Sequence, residues 1–74
     1  MKKEFILRDL TGKVYSGLFD GWEYPVFAPW EPEGGSPQSF ELESNALNQV
    51  EILCRNFPVT MDVVGPVEIV PVYR

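Results

Sequence analysis

The chain opens on an alternating stretch. In Lys3–Leu10, KEFILRDL, Phe5 and Leu7 fall on one side, and Ile6, Arg8 and Leu10 on the other. Period-two alternation in a short, β-rich stretch predicts a strand rather than a helix. LTGK follows, and Gly12 suits the left-handed position of a short hairpin loop with a bulge. KVYSG then returns as a second strand, with Val14 facing opposite to Tyr15, so residues 3–17 read as a hairpin.

Gly17 marks a bulge or a strand end, and Asp20-Gly21 is a turn dipeptide. WEYPVFAPW alternates again: Trp22, Tyr24, Val26 and Ala28 on one side, Glu23, Pro25, Phe27 and Pro29 on the other. Proline lacks the N–H that a central strand donates, so this stretch is expected at a sheet edge or as an irregular extended segment. EPEGGSPQS reads as a loop.

After Phe40 and Leu42 the period lengthens. Ala46, Val50, Leu53 and Phe57 follow i, i+4, i+7, i+11, and Leu47 and Cys54 widen the stripe. Ser44 is a suitable N-cap, while Asn56 and Pro58 end the pattern, so a helix is expected over about 44–56. The tail VTMDVVGPVEIVPVYR is β-rich. Val67, Ile69 and Pro71 point one way, and Glu68, Val70 and Val72 the other; Pro71 implies that the end of this strand is unpaired on one side. Gly65-Pro66 is a turn, and Val59–Val64 reads as a short strand or a loop. The order predicts an α+β fold in a single domain spanning 1–74. Its form is an antiparallel sheet of about three to five strands with one helix packed on one face.

This pattern resembles a set of small, uncharacterised bacterial and phage-associated α+β proteins. The resemblance runs through the hairpin FILRDLTGKVYSG, the tryptophan-bearing PWEPEGGSP, the SFELES lead into one helix, and the closing strand VEIVPV. It covers most of the chain and implies the fold; it carries over no catalytic residue.

Size and composition narrow the function classes. A chain of 74 residues forms a small core, and its one cysteine excludes an internal disulfide. With no histidine and no second thiol, neither a zinc site nor any other metal or cofactor site is expected. A homodimer remains open as a source of stability. No apolar run approaches the ~20 residues of a membrane helix, so no membrane association is expected. Glu4, Arg8 and Asp9 interrupt the N-terminal apolar stretch, which argues against an export signal, and the unpaired thiol fits a cytoplasmic setting.

Charge is unevenly distributed. The net charge is −5, and no Lys or Arg occurs between Lys13 and Arg55, where seven acids lie. A nucleic-acid binder would carry a basic stripe, so direct nucleic-acid binding is not expected. Nor is catalysis. No histidine is present to serve as a base, Cys54 on the apolar helix face reads as a core cysteine, and the pairs Glu31/Glu33 and Glu41/Glu43 read as solvated acids.

Binding is the remaining class. Trp22, Tyr24, Phe27 and Trp30 crowd one acidic, proline-rich stretch. Trp22 and Tyr24 read as cover for the sheet edge, or Phe27 and Trp30 stay in part exposed as anchors beside glutamates. The expected site is an acidic-aromatic face of Trp22, Glu23, Phe27, Trp30, Glu31 and Glu33. The expected function is a non-catalytic interaction protein, an adaptor or inhibitor, whose protein partner has a basic surface. Two alternatives stand beside it: an acidic, nucleic-acid-mimicking inhibitor of a basic protein, and a homo-oligomeric structural protein.

Overall fold

The computed structural model describes residues 2–19, 24–29 and 37–73. The elements run β1 (Lys3–Asp9), β2 (Lys13–Phe19), β3 (Tyr24–Pro29), β4 (Ser39–Phe40), α1 (Glu43–Asn56), α2 (Pro58–Val64) and β5 (Val67–Tyr73). The fold is α+β: a five-stranded sheet, all of whose pairings are antiparallel, with helices against one face.

β1 is the hub, with Ile6 and Leu7 both at 0% exposure. It pairs with β5 over its whole length, from Lys3↔Tyr73 to Asp9↔Val67. A strand has only two edges, so β2 and β4 share the other one: Arg8 lies opposite Val14, and Phe5 and Ile6 lie opposite Phe40 and Ser39. Where the two partners meet, the Gln38 N–H donates to the Tyr15 carbonyl at 2.8 Å.

β2 leaves the β1 edge through a bulge. Its register against β3 shifts between Tyr15 and Gly17, and Gly17 sits at φ 112°, a conformation that glycine adopts without a Cβ penalty. β3 ends the path β3-β2-β1-β4, which is where Pro25 and Pro29 belong. Among the described residues β5 pairs with β1 alone, in keeping with Pro71 on its outer side.

Register places Phe5, Leu7, Asp9, Tyr15, Phe27, Phe40, Val67 and Ile69 on the helix-bearing face. The core there joins Leu7 and Tyr15 to Ala46 and Leu53 of α1 and Met61 of α2. Ile6 and Val14 are buried on the opposite face, beside the Arg8–Glu68 ion pair, where Arg8 Nε donates to Glu68 Oε1 at 2.9 Å.

The expected helix is present, but its details differ. Leu42, not Ser44, is the N-cap, and it caps through its backbone: its carbonyl accepts from Asn45 and Ala46 at 3.1 and 3.2 Å. Glu43 in the first turn places a negative charge by the positive end of the helix dipole. The inward stripe is Ala46, Val50, Leu53 and Phe57. Cys54 is exposed rather than in the core, and Leu47 is 53% exposed. The helix is turned about its axis toward Gln49, whose amide donates to the buried Tyr15 hydroxyl at 3.5 Å. With ~100° between successive residues, that rotation carries Leu47 and Cys54 out to solvent.

The second difference is α2, where a strand or loop is expected. Pro58 does end α1, yet it also starts α2 at a first-turn position, where its fixed φ and missing N–H cost nothing. Phe57 is the hinge: its N–H donates to Leu53 at 2.8 Å, and its carbonyl accepts from Met61 at 2.9 Å. Gly65 at φ 81° closes the helix, its N–H donating to Met61 at 2.9 Å.

Candidate functional site

Of the expected acidic-aromatic face, Trp22, Glu23, Trp30, Glu31 and Glu33 lie outside the described residues. Phe27 is described. It sits opposite Tyr15 in the β2–β3 ladder, with ring centroids 5.6 Å apart and planes tilted by 45°. Tyr15 is 3% exposed, and Phe27 packs half-buried against the same core. β3 therefore turns its Phe27 side, not its Val26 side, toward the helices.

Phe27 also lines an open cleft of about 380 Å³. β3 contributes Pro25, Val26 and Phe27 to one wall, and Val63 and Val64 at the end of α2 form the other. Asp9, Thr11 and Lys13 of the β1–β2 turn close one end. Val63 is 83% exposed, as are Val59 at 77% one helical turn before it and Leu10 at 75% in the adjoining turn.

Asp9 is the buried acid of this site, at 5% exposure. Its Oδ1 accepts three hydrogen bonds: from Thr11 N at 2.9 Å, Thr11 Oγ1 at 2.7 Å and Lys13 N at 3.0 Å. Burial pushes the carboxyl pKa up, but those donors and the Lys13 charge together outweigh it and hold the group below its ordinary value. Asp9 is thus an anion fixed in the hairpin turn. The first role of this arrangement is structural, because the carboxylate satisfies two backbone N–H groups that the turn leaves without strand partners.

Asp9, Lys13, Val63 and Val64 were not expected at a site. One signal for Asp9 is legible: Asp followed two residues later by Thr, in DLTGK, is the pattern of a side chain bonding its own turn. The valines carry no such signal, since only folding brings them beside β3. Among the described residues no group of three or more His, Cys, Asp or Glu could hold a metal ion, and no helix is long and apolar enough to cross a membrane. Comparison with known proteins finds no family model, no curated protein and no solved structure that matches this chain.

Proposed function

We propose that this chain is a non-catalytic interaction protein, an adaptor or inhibitor, that holds a protein partner with a basic surface. The observation that carries this reading is the placement of Phe27: it packs half-buried on the core and also lines an apolar cleft. An aromatic held in place by packing receives a partner's side chain with little ordering cost, and such positions dominate interface energetics. The net charge of −5 favours encounter with a basic surface.

The reading also takes in the residues that flank β3 in the chain. Trp22 and Glu23 precede it, and Trp30, Glu31 and Glu33 follow it. The tryptophans add apolar contact, and the glutamates steer the partner. In this reading the chain, bacterial or phage-borne, works in a cytoplasm.

The test is capture of the partner by immobilised protein. Wild type should retain a protein that the triple variant Trp30→Ala, Glu31→Gln, Glu33→Gln releases, with the circular dichroism of the two unchanged. Retention by both would move the site off this face, and retention by neither would remove the reading.

A further inference from the structure

We infer that two copies of this chain pair through the outward edge of β5, antiparallel about a two-fold axis at Val70, to make one continuous sheet. This edge lies across β1 from β2 and β3, so the inference does not rest on the proposed function.

Backbone geometry defines the edge. In the β1–β2 turn the Asp9 carbonyl accepts from the Gly12 N–H at 3.2 Å, so Asp9 turns its backbone groups toward β2. These groups alternate in direction along a strand, so Glu4, Ile6 and Arg8 turn theirs toward β5. Their partners Val72, Val70 and Glu68 bond back to β1, and Val67, Ile69, Pro71 and Tyr73 point theirs outward. Among the described residues no strand pairs with that outward row. Pro71 offers no N–H there, but its carbonyl is intact.

The side chains leave the edge incompletely covered on both faces. Val67 and Ile69 on the helix-bearing face, and Val70 and Val72 on the other, are each half-buried. Tyr73 at the end of the strand is 60% exposed. Leu47 lies roughly 160° round α1 from Gln49, which reaches Tyr15 of β2. It is therefore on the flank of α1 turned away from β2, and it is 53% exposed.

Charge commits the edge to a second copy. Lys2, Lys3 and Arg8 balance Glu4, Asp9 and Glu68, so β1, β5 and Lys2 together carry no net charge in a chain of −5. Glu68, the one charged residue of β5, is already held by Arg8, whose Nε donates to it at 2.9 Å. A basic partner finds no open acid on this strand, and an acidic partner no base. A two-fold axis presents the strand to itself. With both strands fully overlapped, Val67 lies opposite Tyr73 of the other copy, Ile69 opposite Pro71, and Glu68 opposite Val72. No like charges meet, and the Val67, Ile69 and Tyr73 N–H groups each find a carbonyl. Val70 meets Val70, and Tyr73 covers Val67 of the other copy, an aromatic and β-branched cross-strand pair.

The experiment is sedimentation equilibrium of the full chain in reducing buffer, from about 10 μM to about 1 mM. Wild type should pass from monomer to dimer with a dissociation constant on the order of 0.1 mM, because one strand edge falls at the small end of specific interfaces. Val70→Glu sets two carboxylates at the axis and should weaken the dimer at least about five-fold. Register is read by oxidation in a Cys54→Ser background. Val70→Cys should cross-link two copies, because facing residues of a pair without mutual hydrogen bonds stand ~4.5 Å apart at Cα. Val72→Cys, ~14 Å from its counterpart, should not.

A monomer throughout that range, a dimer that Val70→Glu leaves unchanged, or cross-linking of Val72→Cys as fast as of Val70→Cys would each overturn the inference. If Val70→Glu fails to fold, the contrast between the two cysteine variants decides.

Discussion

Tyr15 and Phe27 stand directly opposite each other on β2 and β3, their ring centroids 5.6 Å apart. The pair joins the core to the cleft. Tyr15 is buried, and its hydroxyl receives a hydrogen bond from Gln49 of α1. Phe27 rests on it and lines the cleft.

Phe27→Ala should therefore cost stability as well as binding. Removing a half-buried ring from this contact should lower the unfolding free energy by about 1–3 kcal/mol, less than the loss for a fully buried phenylalanine. Phe27→Leu should cost about 1 kcal/mol or less. Urea unfolding of both variants checks the ordering, and a cost for Phe27→Ala no greater than for Phe27→Leu would detach the ring from the core.

Asp9 predicts a pH dependence. Its folded pKa lies below its ordinary value of ~3.9, so the unfolded chain binds the proton more tightly. The stabilisation is fully present above about pH 5 and is lost as pH falls through the lowered folded pKa. Thermal melts from pH 6 downward should show wild type losing stability over this range and Asp9→Asn losing less. At neutral pH, where the carboxylate hydrogen bonds are intact, the variant should be less stable by about 1–2 kcal/mol.

Gly65 offers a separation of backbone strain from crowding. It sits at φ 81° and ψ −163°, a region that side chains rarely enter, and a Cβ built there meets nothing within 4 Å. Gly65→Ala should thus cost about 1–3 kcal/mol from backbone conformation alone. Gly65→Ser, unbranched at Cβ and so like alanine in its backbone cost, would cost clearly more only if crowding contributed; near-equal losses in denaturant unfolding are the expected result.

Cys54 is exposed on α1. A thiol reagent such as dithiobis-nitrobenzoate should label it stoichiometrically in the folded protein, without loss of helical circular dichroism. Cys54→Ser should change stability by about 0.5 kcal/mol or less, as exposed positions do. Slow labelling that waits on unfolding would put the thiol back in the core.

Local periodicity made much of the fold legible. Alternation located β1, β2, β3 and β5, and the spacing of Ala46, Val50, Leu53 and Phe57 located α1 and the stripe it buries. Prolines marked β3 as an edge strand. These features follow from the chain itself, because strand and helix periods and the missing proline N–H act over a few neighbouring residues.

Only the tertiary structure decided the rest. PVTMDVV is as β-rich as its neighbours, and it is helical because Met61 and Val64 then reach the core and Phe57 serves both α1 and α2. Cys54 and Leu47 lie on the apolar side of α1 by sequence, yet the helix turns Gln49 toward Tyr15 and leaves them in water. Rotation of a helix about its axis is set by what it packs on, not by its own period. The cleft is the strongest case: it needs a turn at Asp9, a strand at Phe27 and a helix end at Val64, residues far apart in the chain. The chain determined which segments are strands and helices by local period; the approach of distant segments determined the exposed faces and the pocket, because burial is a property of the folded ensemble of contacts.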